Sequence, residues 1–239
     1  MFSDPANWVG GKAPTAADRA AFTWSNTTPF TVQFTDDQTI QEVFLRGRVT
    51  LDLGATHTQV TSGFQVGYFA DESATVKLLN GHITGDTRFA SSSELIVGQD
   101  AQLEGRMVMG RSNTNSKLSI LDGGRFFNAT DDPISSISVG QAPTSRGTIN
   151  VLGAGSQLIH WEAIFYRGDL NIRDGAYAQL ETLRLARSPN IFDPPPGGDI
   201  GIEATVLVTG ANSKLAVNVH RHERHGRSGH SRRCHGDNS

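Results

Sequence analysis

Leu118-Ser119-Ile120-Leu121-Asp122-Gly123-Gly124 is the stretch whose reading decides the fold. Leu118 and Ile120 alternate with a polar residue, and an Asp-Gly dipeptide then breaks the run. Period-two alternation over so few residues predicts a short half-buried strand. Asp-Gly is a turn signal, and glycine supplies a positive φ or room for a neighbouring backbone. The same unit returns at 49–54, 76–81, 149–153, 170–175 and 206–210. A second unit, apolar-x-Val/Met-Gly, reads at 64–67, 95–98, 107–110 and 137–140. A third follows two of the strands, as Gly153-Ala154-Gly155-Ser156-Gln157-Leu158 and Gly210-Ala211-Asn212-Ser213-Lys214-Leu215. The glycines expected to make structural turns are Gly54, Gly67, Gly81, Gly98, Gly110, Gly123, Gly140, Gly153, Gly175 and Gly210.

Short strands with frequent turns also suit hairpins in a sandwich or barrel. The return of one Gly-terminated strand every ~20 to 40 residues favours stacked coils. The expectation is an all-β chain, a right-handed parallel β-helix of about eight or nine irregular coils. At about 22 residues and about 4.8 Å per coil, the rod would be about 40 Å long. Residues 1–29 read as an entry or cap segment, 30–217 as the β-solenoid and 218–239 as a disordered tail. No convincing helix is present; residues 16–22 alone have room for a turn or two. Residues 190–198 carry Pro194-Pro195-Pro196, which a central strand does not accept, so they read as a loop bulging from the rod.

Composition agrees with a folded chain. Hydrophobic residues are 37% and charged residues 19% of 239, too apolar for full disorder. No apolar run approaches the roughly 20 residues a membrane span needs. A net charge of −3 gives no reason to expect nucleic acid as a partner. The only cysteine, Cys234, lies in the tail, so no disulfide framework is expected. Met1 is not followed by a signal-peptide pattern.

The tail departs from the pattern of the body. Residues 220–239 hold five of the eight histidines and five arginines. His220, His222, His225, His230, Cys234 and His235 are candidate metal ligands, but their spacing fits no standard zinc module, so no metal or other cofactor is expected. A one-nucleotide shift of the back-translated tail permits Ile-Gly-Thr-Asn-Gly-Thr-Gly at 220–226, which is coil-like. The expectation is a fragment, with a frameshifted end and a true start lying upstream.

The opening of the chain, 2–22, carries Trp8, Gly11, Pro14, Asp18, Ala20 and Phe22 in the order W-x-x-G-x-x-P-x-x-x-D-x-A-x-F. This resembles the segment that leads into the first coil of many bacterial surface solenoids. The Val-Gly, Asp-Gly-Gly and Gly-Ala-Gly-Ser-x-Leu units resemble passenger repeats of autotransporters and of related surface proteins with C-terminal sorting signals. The resemblance covers about residues 2–217. It implies a parent protein exported to the cell surface or medium, with a structural or adhesive role rather than an activity. Surface polysaccharide or other cell-surface components would be its partners. The chain departs from that pattern in lacking a C-terminal β-barrel and a sorting segment.

Candidate chemistry is sparse. Asp36-Asp37 and Asp131-Asp132 are the densest acidic pairs, and paired carboxylates can serve acid/base work or calcium. Both sit in turn-like contexts and read as solvated turns. His57, His82 and His160 are scattered, with no Ser or Cys partner at a recognisable spacing. His160-Trp161 and Phe165-Tyr166 are the main aromatic cluster, read as packing before sugar stacking. No catalytic residue is assigned. The alternative is a polysaccharide-binding or polysaccharide-degrading enzyme on the same fold, with carboxylates converging on one groove.

Overall fold

The computed structural model describes residues 1–22, 28–67, 73–110, 114–128, 136–142, 144–185 and 204–218. The 190–198 loop, Asp131-Asp132 and the tail residues His220, His222, His225, His230, Cys234 and His235 lie outside these residues. Strands make up 64% of the described residues, whose one helical element is a 3-10 turn at Pro5–Asn7. The strand pairings are parallel throughout and sort into three ladders, here faces A, B and C.

Face A stacks 19–22 on 42–45, 63–66, 87–89, 107–109, 136–139, 162–165 and 182–185. Face B stacks 30–33 on 49–52, 75–79, 94–97, 117–120, 148–151, 169–172 and 205–208. Face C stacks 38–40 on 58–60, 82–84, 102–104, 125–127, 157–159, 177–180 and 214–217. The chain visits A, B and C in turn, which makes it a β-solenoid. Among the described residues each face has eight rungs: six with neighbours on both sides, and one at each end. Seven steps of about 4.8 Å give a rod of about 34 Å.

Alternation explains the interior. On face B one inward column runs Val49, Val76, Leu95, Leu118, Ile149 and Leu170, and the next runs Leu51, Leu78, Val97, Ile120, Val151 and Ile172. All twelve are buried. Successive side chains point to opposite faces of a strand, so both columns face the core and polar residues stand outside. Coil length varies because corners carry insertions. The coil from Ile149 to Leu170 takes 21 residues, whereas that from Leu118 to Ile149 takes 31.

Two expectations change. Residues 16–22 are not helical: Arg19–Phe22 is a strand, with Ala20 and Phe22 buried and paired to Val43 and Leu45. The first rung therefore lies inside the 1–29 segment. Second, Leu95-Ile96-Val97-Gly98 belongs to face B, not with the other apolar-x-Val/Met-Gly strands, which are all on face A. The face A strand of that coil is Thr87–Phe89, which ends without glycine. Nine of the ten turn glycines have positive φ, from 54° to 145°. Gly98 does not; the next two residues, Gln99 (φ 47°) and Asp100 (φ 60°), take the left-handed turn instead.

The first coil has a lid. Phe2 is buried, its N–H donates to the Gln33 carbonyl at 2.8 Å, and its ring stacks on Phe34 at 4.6 Å. Trp8 packs on Phe2 (5.1 Å) and Phe22 (5.5 Å), and its indole N–H donates to the Phe2 carbonyl at 2.6 Å. Asp18 accepts from the Thr15 N–H (2.9 Å) and hydroxyl (2.6 Å). Its carbonyl accepts from Gln41 N–H at 3.0 Å, tying the segment to the second coil.

Candidate functional site: the outward columns of face C

The outer surface of face C carries two columns of functional groups along the rod. One runs His57, His82, Gln102, Arg125, Gln157, Tyr177 and Lys214. The other runs Thr39, Gln59, Thr84, Glu104, Phe127, Ile159, Gln179 and Ala216. Parallel in-register stacking creates these columns, because each coil places its equivalent residue about 4.8 Å from the last.

At one end of these columns the groups converge. His57 and His82 are register partners, and their rings stack 4.6 Å apart. His57 Nε2 lies 2.8 Å from the Thr84 hydroxyl, and His82 Nε2 lies 3.4 Å from it. Glu104 Oε2 is 3.0 Å from His82 Nε2 and accepts from Thr84 at 3.3 Å. Phe127 stacks on His82 at 5.6 Å, with the Arg125 guanidinium 5.3 Å from the Phe127 ring centre. Burial, then the positive charge of His57, holds the His82 imidazole below its ordinary value, although Glu104 pulls the other way. Beside the histidines lies a cleft of about 580 Å³ lined by Asp37, His57, Asn80, His82, Asp100 and Gln102.

The histidines expected to be scattered thus separate into a pair and a singleton. His57 and His82 meet, while His160 is buried with its ring 4.6 Å from Phe126. The aromatic cluster also divides. Phe165 is core, while Trp161 and Tyr166 are half-buried. Asp37 accepts the His57 backbone N–H at 2.8 Å, and Asp36 is exposed in the same turn. Thr84, Gln102, Glu104, Arg125 and Phe127 carried no signal in the sequence, since neighbours in a column lie 20 or more residues apart.

Elsewhere the charges work as struts between coils. Glu42 holds Arg19 at 3.2 Å, Glu94 holds Lys117 at 2.9 Å, Asp169 holds Arg146 at 2.8 Å and Glu162 holds Arg184 at 2.8 Å. Asp86 holds Arg106 in the same way. The Arg146 hydrogen bonds keep Asp169 below the usual carboxylate range despite some burial. Burial works to raise Asp86, but the Arg106 hydrogen bonds and charge outweigh it and the carboxyl is lowered.

The repeated Ser of the third sequence unit has one role in both copies. Ser156 Oγ donates to the Leu152 carbonyl at 2.7 Å and accepts from Gly123 N–H of the preceding coil at 3.3 Å. Ser213 Oγ donates to Thr209 at 2.6 Å and accepts from Gly175 N–H at 3.0 Å. Each serine therefore pins its own turn and the turn beneath it.

Among the described residues, no group of three His, Cys, Asp or Glu side chains is placed to hold a metal ion. No helix among them is long and apolar enough to cross a membrane. Comparison with family models, with curated proteins and with solved structures gives no match.

Proposed function

We propose that this chain is a non-catalytic β-solenoid segment of an exported, surface-displayed protein, and that face C is its recognition surface for an extended cell-surface glycan. The supporting observation is how the acidic residues are used. Glu42, Asp86, Glu94, Glu162 and Asp169 are each paired with an arginine or lysine one coil away. Cleavage of a glycosidic bond needs two carboxyl groups flanking it, one of them able to donate a proton. Asp86 and Asp169, held below the usual carboxylate range by Arg106 and Arg146, are poor proton donors. Face C instead offers amide, guanidinium, hydroxyl and aromatic groups along a line, the set that binds a polar polymer without cutting it. An adhesive or structural role also suits a rod whose interior is filled by side chains.

Affinity electrophoresis through gels containing cell-surface polysaccharides, run beside a reducing-end assay, tests the reading. The expected result is retardation without new reducing ends, weakened by Phe127→Ala. Release of new ends would establish the enzyme alternative. Antibody labelling of intact source cells tests display, and labelling only after permeabilisation would contradict it.

A further inference from the structure

The cleft beside His57 and His82 is built differently from the rest of the outer surface. Elsewhere Glu42, Asp86, Glu94, Glu162 and Asp169 hold an arginine or lysine one coil away. Asp37 and Asp100 instead line the cleft, and among the described residues its lining has no arginine or lysine. One Asp37 oxygen accepts the His57 backbone N–H at 2.8 Å. Among the described residues no side-chain hydrogen bond occupies Asp100 or Gln102.

The histidines add acceptors to the same space. The Thr84 hydroxyl gives its one proton to Glu104, because a carboxylate only accepts. His57 Nε2, 2.8 Å from that hydroxyl, must then carry a hydrogen, which leaves Nδ1 as the acceptor of the neutral ring. His82 follows the same rule, since its Nε2 faces Glu104 at 3.0 Å. Burial, then the charge of His57, keeps the His82 ring neutral above pH 7. Asn80 and Gln102 supply amides, which both donate and accept. A cleft so rich in acceptors matches a ligand rich in donors. A sugar hydroxyl can donate, whereas a carboxylate or sulfate group cannot.

Farther along the rod the sign of the charge reverses. Arg125 lies one rung beyond Gln102 in the same column, and Lys214 three rungs beyond Arg125, or about 14 Å. A polyanion along face C would meet Asp37 and Asp100 at the cleft. A polycation would meet Arg125 and Lys214. An uncharged chain meets neither repulsion.

We infer that the ligand of face C is an uncharged, hydroxyl-rich polysaccharide, and that Asp37, Asn80, Asp100 and Gln102 select it by bonding to its hydroxyl groups in this cleft. The inference rests on the reading of face C as a glycan surface and adds the chemical class of the glycan.

The test is binding of the full chain, at pH 7.5, to immobilised polysaccharides of three kinds: neutral (a glucan, a mannan and a galactan), acidic (polygalacturonate and a sulfated galactan) and cationic (glycol chitosan). Asp100→Asn and Gln102→Ala report the part of the binding that uses the cleft. Asparagine tolerates the left-handed turn at 100, where φ is 60°, and Gln102 points outward, so both variants should fold. A neutral polysaccharide should bind, and each variant should weaken it about three- to tenfold. Its affinity should change less than about twofold between 50 and 500 mM salt, because no ion pair is screened. Two results overturn the inference and leave the glycan reading standing. One is binding to an acidic or cationic polysaccharide that either variant weakens. The other is binding to a neutral polysaccharide that neither variant weakens. Failure to bind any of the polysaccharides would instead remove the glycan reading, and this inference with it.

Discussion

Ser156→Ala and Ser213→Ala form a matched pair, because the two serines make the same two hydrogen bonds in different surroundings. Ser156 is fully buried in an internal coil, and Ser213 is half-buried in the last coil. Alanine at 156 removes the acceptor for Gly123 N–H and the donor to Leu152 O. A hydrogen bond contributes about 0.5–1.5 kcal/mol net, but stranding a buried polar group costs about 1–3 kcal/mol. Loss of about 2 kcal/mol is therefore expected at 156. At 213 water replaces the lost partners, and the cost should stay below about 1 kcal/mol. Urea unfolding of each variant measures the global effect. Amide exchange at Gly123 and Gly175 measures the local one, with about a 30-fold acceleration at Gly123 corresponding to 2 kcal/mol. Equal costs at the two sites would refute the reasoning, since burial would then be irrelevant.

Other perturbations follow from the same geometry. Gly140→Ala should cost about 3 kcal/mol or more, because its φ is +69° and a Cβ would sit 2.1 Å from the Arg167 carbonyl. Gly153→Ala has φ +86° but nothing within 4 Å, so only about 1–2 kcal/mol is expected; urea midpoints separate the two. Phe126→Ala, at a fully buried centre of the rod, should cost about 3–5 kcal/mol by the same measurement. His82 binds its proton less readily folded than unfolded, so its contribution to stability is present above the unfolded value of 6.5. That contribution is lost as pH falls below 6.5 toward the depressed folded value, while the lowered Asp86 and Asp169 act only in a more acid range. Thermal melts of native and His82→Gln chains between pH 4 and 8 should show a shallower slope in the variant, and identical slopes would contradict the assignment.

Much of this architecture is legible in the sequence. Face B strands announce themselves because each carries two inward apolar residues followed by a turn, as in Leu118, Ile120 and Asp122-Gly123. The entry motif is legible for a similar reason, since Trp8, Asp18, Ala20 and Phe22 each make a specific contact in the lid or first rung. Leu95–Gly98 misleads because strands of faces A and B both end in Val-Gly, and only the backbone beyond the glycine distinguishes them. Face C is nearly silent. Its strands are short, and Gln102, Leu103 and Glu104 hold one inward residue between two polar ones. The His57–His82 pair was hidden by coil length, since the 25 residues between them differ from the 21 between Ile149 and Leu170. Insertions at corners cost little to a solenoid, because each coil answers only to its neighbours. A fixed spacing is therefore not enforced, and lateral contacts do not show in the sequence.

The central claim is that successive coils stack in one direction with their residues in register. Thr31, Thr50, Lys77, Ile96, Ser119, Asn150, Asn171 and Leu207 form one unbroken outward column on face B. Spin labels at Thr31 paired in turn with Ser119, Asn171 and Leu207, in a Cys234→Ser background and at high dilution, would measure it by pulsed dipolar spectroscopy. Steps of about 4.8 Å per rung predict separations near 19, 29 and 34 Å, rising linearly with rung number. Distances that fail to increase along the series would contradict the solenoid and return the chain to a sandwich or barrel.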